Sequence, residues 1–137
     1  MGTRGRTSAA ELSVISGNGV ETVRRPDPPS ELTDEQAEEW QAVVMRLPAD
    51  WFPRETHSML AQYCRHVVSA RRCAQLVAQI EGAEQLDMDA YDKALKMQER
   101  EGRAISSLAT RMRISQQATV RQEKARKPGM VAKPWEN

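Results

Sequence analysis

The sequence predicts an all-α protein: a short N-terminal helix, a long antiparallel helical hairpin and a short C-terminal helix, with flexible tails, assembling into a ring. Three observations predict it. All seven prolines (Pro26, Pro28, Pro29, Pro48, Pro53, Pro128 and Pro134) lie outside residues 54–127, so no proline breaks a helix in that stretch. Apolar residues within it recur every three to four positions, which is the helical period. With 39% hydrophobic residues and six aromatics among 137 residues, a single chain has a thin core and more helical apolar positions than it can cover. The surplus faces call for sister copies.

Residues 1–30 combine Gly2, Gly5, Gly17 and Gly19 with Arg4, Arg6, Arg24 and Arg25 and end in Pro26-Asp27-Pro28-Pro29. This composition predicts a flexible basic arm. Thr33 can cap the first helix, Gln36 can close a capping box, and Asp34 and Glu35 oppose the positive end of the helix dipole. Ala37, Trp40, Val44 and Leu47 share its apolar face, and Pro48 stops it. After a linker over residues 49–52, Pro53 suits a first-turn position, and a second helix is expected from about Arg54 to Glu81, with Gly82 ending it. Its main stripe is Leu60, Tyr63, Cys64, Val67, Ala70, Ala74 and Val77, while Cys73, Leu76 and Ile80 form a second apolar face.

Asp87 or Asp89 caps the third helix, whose seam of Tyr91, Leu95, Ile105, Leu108, Ala109 and Met112 runs to about Arg113. Gln98 and Gly102 interrupt that seam. A mid-helix glycine costs about 1 kcal/mol relative to alanine, so Gly102 marks either a close helix approach or bend, or simple tolerance. Ser115 can cap a last helix over residues 116–127, and residues 128–137 read as a flexible tail with a lone Trp135. The organisation is therefore a basic arm (1–30), a helical oligomerisation and DNA-binding domain (31–127) and the tail (128–137).

The net charge of +1 conceals segregation: residues 31–53 hold six acids against Arg46, and residues 101–137 hold eight bases against Glu101, Glu123 and Glu136. Such asymmetry suggests an acidic shoulder for a basic protein and a basic end for a polyanion. Cys64 and Cys73 are nine residues apart, on opposite faces of a helix, so they cannot bridge within it. Their spacing from His57 and His66 makes no metal site. No apolar run approaches the ~18 residues of a membrane span, and the N-terminus lacks a signal-peptide core, so a soluble intracellular protein is expected. No phosphate loop, Ser/His/Asp set or paired-histidine helix is present, and Gly17-Asn18-Gly19 reads as a turn. Neither an enzyme nor a cofactor is expected.

Nucleic-acid binding has positive support. Arg111, Arg113, Arg121, Lys124, Arg126 and Lys127 cluster around the last helix without stacking aromatics, a pattern suited to the backbone of a duplex. Residues 108–121 also look like a helix-turn-helix core, although Arg113 stands where a turn glycine is usual and Thr119-Val120 sit one residue late. Two other readings therefore stay open: a helix-turn-helix transcriptional regulator acting as a dimer, and a purely protein-binding scaffold.

An ordered set of motifs runs along the chain: Met1-Gly2-Thr3-Arg4-Gly5-Arg6, then Gly17-Asn18, Arg25-Pro26-Asp27-Pro28-Pro29, and Leu32-Thr33 through Glu39-Trp40. Leu60-Ala61-Gln62-Tyr63-Cys64 and Met112-Arg113-Ile114-Ser115 follow. In this order and spacing, the chain resembles the small subunits of tailed-phage terminases. It departs near residues 112–116, where that family often has Leu-Gly-Leu and a proline. The resemblance implies a non-catalytic ring, of about eight to twelve subunits, acting in the host cytoplasm. It would bind double-stranded viral DNA and regulate a separate large subunit carrying ATPase and nuclease activity. The expected DNA contacts are Arg4 and Arg6 with the six bases above. The expected oligomer interface is Leu60, Tyr63, Val67, Cys73, Leu76, Ile80, Tyr91, Leu95 and Ile105, and Trp135 is the expected anchor for the large subunit.

Overall fold

A computed structural model describes residues 23–116. It contains α1 (Asp34–Arg46), a single 3₁₀ turn (Arg54–Thr56), α2 (His57–Glu81) and α3 (Met88–Arg111), with no strand among the described residues. The chain is all-α, and α2 and α3 form the hairpin. The expected helix over 116–127 and the tail lie outside the described residues, apart from Gln116, as do residues 1–22 of the arm.

Each helix start follows from local chemistry. Gln36 N–H donates to Thr33 Oγ1 at 3.4 Å and Thr33 N–H donates to Gln36 Oε1 at 3.1 Å, the reciprocal capping box. At α3, Asp87 Oδ1 accepts from the backbone N–H groups of Asp89 (3.0 Å) and Ala90 (3.1 Å), so Asp87, and not Asp89, is the cap. Gly102 is exposed, and a Cβ there would meet nothing within 4 Å. The fold therefore makes no close approach at this glycine.

The end of α1 corrects the expected extent of the arm. Arg25 donates from Nε to the Val44 carbonyl and from Nη2 to the Leu47 carbonyl, both at 3.1 Å, which satisfies orphan acceptors and sets a cation at the negative end of the helix. Trp40 Nε1–H donates to the Pro26 carbonyl at 3.0 Å. These bonds tie the chain from Arg25 onward to α1, so this part of the expected arm belongs to the folded body.

Both α1 and α3 pack on α2, and they use different stripes. Ala61, Cys64 and Val68 follow an i, i+3, i+7 pattern on the side of α1. His66, Cys73 and Val77 turn toward α3, where His66 Nδ1 lies 2.6 Å from Glu101 Oε2. Val68 is buried where Val67 was expected, and Ala74 is exposed. The shift arises because α1 crosses a face of α2 that periodicity alone did not distinguish. The core gathers at one end, the base, from Trp40, Val44, Leu47, Phe52, Leu60, Cys64, Leu108, Met112 and Ile114. Toward the hairpin tip only Cys73, Val77 and Ala94 are buried, while Leu76, Leu86, Met88, Leu95 and Met97 stay exposed.

Three of the six acids of the expected acidic shoulder are paired within the chain. Glu31 pairs with Arg65, Glu35 with Arg72 and Glu39 with Arg71. These contacts form a neutral waist between α1 and α2.

Candidate nucleic-acid interface

The base of the hairpin holds the site. α3 closes in a Schellman motif: Arg113 N–H donates to the Thr110 carbonyl (3.1 Å) and Ile114 N–H donates to the Ala109 carbonyl (3.0 Å). This geometry needs a left-handed residue, and Arg113 supplies it with φ 57°, the only non-glycine residue with positive φ among those described. Arg113 is thus in the conformation that a turn glycine would provide without strain. Ile114 tucks back into the core with Leu108 and Met112, and the backbone is helical again at Gln116.

Trp51 pins this turn to the loop between α1 and α2, its Nε1–H donating to the Met112 carbonyl at 3.2 Å. That bond brings the loop over residues 48–53 and the turn over residues 112–114 to one end, and the bonds of Arg25 to the Val44 and Leu47 carbonyls bring residues 23–27 to the same end of α1. Consequently residues 1–22, with Arg4 and Arg6, and residues 117–137, with Arg121, Lys124, Arg126 and Lys127, both join the body at its base.

The charges there are uncommitted. Arg46, Arg54, Arg111 and Arg113 are exposed and have no carboxylate partner among the described residues. By contrast, Arg24, Arg65, Arg71, Arg72, Lys96 and Arg103 all form ion pairs. A groove of about 480 Å³ lies between residues 23–27 and residues 49–57, with Val23, Pro26, Phe52 and Pro53 among its apolar lining and Arg24 and Arg54 among its charged lining. At its edge, His57 Nε2 makes a 3.1 Å hydrogen bond with the Phe52 carbonyl, and its ring meets Trp40 edge-on at 5.7 Å.

Of the expected DNA contacts, Arg111 and Arg113 stand together at the turn, and the other six lie outside the described residues, as does Trp135. The expected oligomer contacts divide by burial. Leu60 is 0% exposed and Cys73 is 7% exposed within one chain, so both are protomer core with almost no surface left for a partner. Tyr63, Val67, Ile80, Tyr91 and Ile105 are half-buried, and Leu76 and Leu95 are exposed. The Tyr91 hydroxyl donates to Glu81 across the hairpin at 2.9 Å. Sequence reasoning missed Arg46 and Arg54. Each is a lone cation in a local stretch, and only the packing of Leu47 and Phe52 with Met112 and Ile114, together with the Trp51–Met112 bond, brings the end of α1 and its loop to the turn.

Burial, with Glu39 nearby as a lesser cause, pushes the Cys64 thiol up to about 12, and burial likewise raises the Tyr63 phenol. Among the described residues no His/Cys/Asp/Glu group could hold a metal ion, and no helix is long and apolar enough to cross a membrane. No protein-family model, curated protein or solved structure matches the chain.

Proposed function

We propose that this chain is a non-catalytic DNA-binding adaptor that works as a closed homo-oligomer. Within that class, it acts as the small subunit of a phage terminase, binding double-stranded viral DNA and modulating the ATPase and nuclease of a large subunit. The observation that carries the reading is the convergence at the hairpin base. There a tight turn presents Arg111 and Arg113, which have no carboxylate partner among the described residues, next to the point where residues 117–137, with five bases against Glu123 and Glu136, join the body. Phosphates are the natural partners for such a cluster, and repetition around a ring multiplies modest affinities into useful avidity.

The ring follows from the other half of the molecule. Leu76, Leu95 and Met97 are exposed on the shafts of the hairpin, and covering them against neighbours at ~25 cal/mol per Å² adds the core that one copy lacks. Native mass spectrometry, with gel shifts of duplex DNA over a salt series, tests both parts. A cyclic oligomer whose affinity falls steeply with salt is expected, and a monodisperse monomer that ignores duplex DNA refutes the reading.

The left-handed turn at Arg113 also favours a second reading, a dimeric helix-turn-helix transcriptional regulator. That protein protects a short palindromic site in a footprint, whereas the adaptor gives a larger closed oligomer.

A further inference from the structure

The two ends of the described body are complementary to each other. At the tip, Leu86 and Met88 project with 47% and 64% of their surface exposed. Around them stand Glu81, Glu84, Asp87 and Asp89, and residues 81–92 contain no lysine or arginine. None of these four carboxylates has a cation partner among the described residues. Glu81 accepts from Tyr91, and Asp87 is held by backbone N–H groups. The result is an apolar peg in an acidic collar.

At the base, the groove has the matching chemistry. Its apolar lining includes Val23, Pro26, Phe52 and Pro53, and its charged lining is Arg24, Arg25 and Arg54 with Asp27 and Asp50. Asp27 is occupied by Arg24 at 2.7 Å, whereas Arg54 has no carboxylate partner among the described residues. A volume of about 480 Å³ is large enough for two long apolar side chains. One chain cannot fill its own groove, because the 25-residue helix α2 separates tip from base by nearly 40 Å at about 1.5 Å per residue.

The geometry points to a head-to-tail contact in which the Leu86/Met88 tip of one copy seats in the groove over residues 23–27 and 49–57 of the next. Glu84 and Asp89 meet the arginine rim, above all Arg54. Such a contact uses a different surface on each partner, and a heterologous contact of this kind either closes into a ring or runs on as a filament. The inference rests on the closed homo-oligomer proposed above and names the contact that holds its copies together; the exposed parts of Leu76, Leu95 and Met97 on the shafts add to it but are too small to hold copies alone. It leaves Arg111 and Arg113 on the neighbouring turn free for phosphate.

Complementary loss-of-contact variants of the full chain test it. A tip variant carries Leu86→Asp and Met88→Asp, and a groove variant carries Arg24→Glu and Arg54→Glu. All four side chains are exposed, and circular dichroism verifies retained helix. By native mass spectrometry each variant alone is expected to be monomeric. An equimolar mixture is expected to give a 1:1 dimer that stops there, because each pair keeps a single working tip and a single working groove. In the tip variant, which changes no arginine of the base, losing the ring should also weaken duplex DNA binding by roughly tenfold or more through lost avidity. If either variant alone keeps the wild-type mass, or the mixture stays monomeric, the contact is wrong while the oligomer stands. A monomeric wild-type chain removes the oligomer itself, and this inference with it.

Discussion

Replacing Arg113 with glycine should stabilise the fold while weakening DNA binding, a pair of opposite effects that few substitutions produce. Arg113 holds φ 57° at the left-handed position of the Schellman motif. An L-residue in that region is strained by about 1–2 kcal/mol, and glycine is not. Glycine also loses more backbone freedom on folding, which takes back about 0.5–1 kcal/mol. The net gain is on the order of 0.5–1 kcal/mol, and for a folded body of about a hundred residues this raises Tm by roughly 2–8 °C.

The arginine is exposed and has no carboxylate partner among the described residues, so removing it breaks no ion pair there. On the proposed DNA-binding role it should remove one phosphate contact per bound subunit, lowering the salt slope of duplex binding by about 0.9 for each. Calorimetry and a salt series of gel shifts read the two effects separately. Arg113→Val supplies the opposite control, because a β-branched side chain at positive φ must lower Tm. An Arg113→Gly protein with unchanged or lower Tm refutes the left-handed turn, and an unchanged salt slope refutes the phosphate contact.

Three further outcomes follow from the same geometry. Trp51→Phe keeps the ring but loses the bond from Nε1–H to the Met112 carbonyl, so it should cost about 0.5–1.5 kcal/mol in denaturant titrations and speed amide exchange at residues 112–114. Leu60→Ala leaves a void in the best-packed part of the core, and a loss of about 2–5 kcal/mol is expected by urea unfolding. The thiol of Cys64 is raised from its ordinary value of 9.0 to about 12, so the unfolded chain releases this proton first as pH rises. Stability linked to this group is therefore fully present below pH 9 and lost progressively from there to about pH 12. Unfolding midpoints against pH should show that alkaline loss, and Cys64→Ala should flatten it.

Much of the fold was legible because the signals that set it are local. Proline placement, the Thr33/Gln36 capping box and the aspartate before Met88 are read from neighbours in sequence, and they give the helix bounds closely. The buried faces of α2 were legible in part: Leu60, Cys64, Cys73 and Val77 are expected apolar positions and are buried, whereas Ala61 and Val68 are buried without having been expected. Tyr63, Val67 and Ala74 fit a helical period as well as Ala61, Cys64 and Val68 do, and only the crossing of α1 decides between them. The site was half legible. Arg111 and Arg113 stood out as unopposed cations, and Arg113 stood out further as a side chain where a turn glycine is usual. The role of Trp51 was hidden, since its partner carbonyl lies 61 residues away. The acidic stretch around α1 misled, because a run of like charge does not reveal which arginines a distant helix will bring to it.

The ion pairs at the waist matter more for where they leave charge than for the stability they add. Glu31, Glu35 and Glu39 are matched by Arg65, Arg72 and Arg71, and exposed pairs of this kind contribute only about 0.2–1 kcal/mol each. Their larger effect is to lower the field between α1 and α2, while Arg46, Arg54, Arg111 and Arg113 at the base and Glu84 and Asp89 at the tip have no ion-pair partner among the described residues, as is also true of Lys93 and Arg100 on α3. The length of α2, nearly 40 Å at about 1.5 Å per residue, far exceeds the Debye length of ~8 Å at physiological salt. Phosphate approaching the base is therefore not repelled by the tip, and a net charge of +1 describes neither end. The acidic tip gives no help to DNA binding and little hindrance, so the exposed Leu86 and Met88 and their collar call for a cationic, apolar surface of their own, and the base of a sister chain presents one.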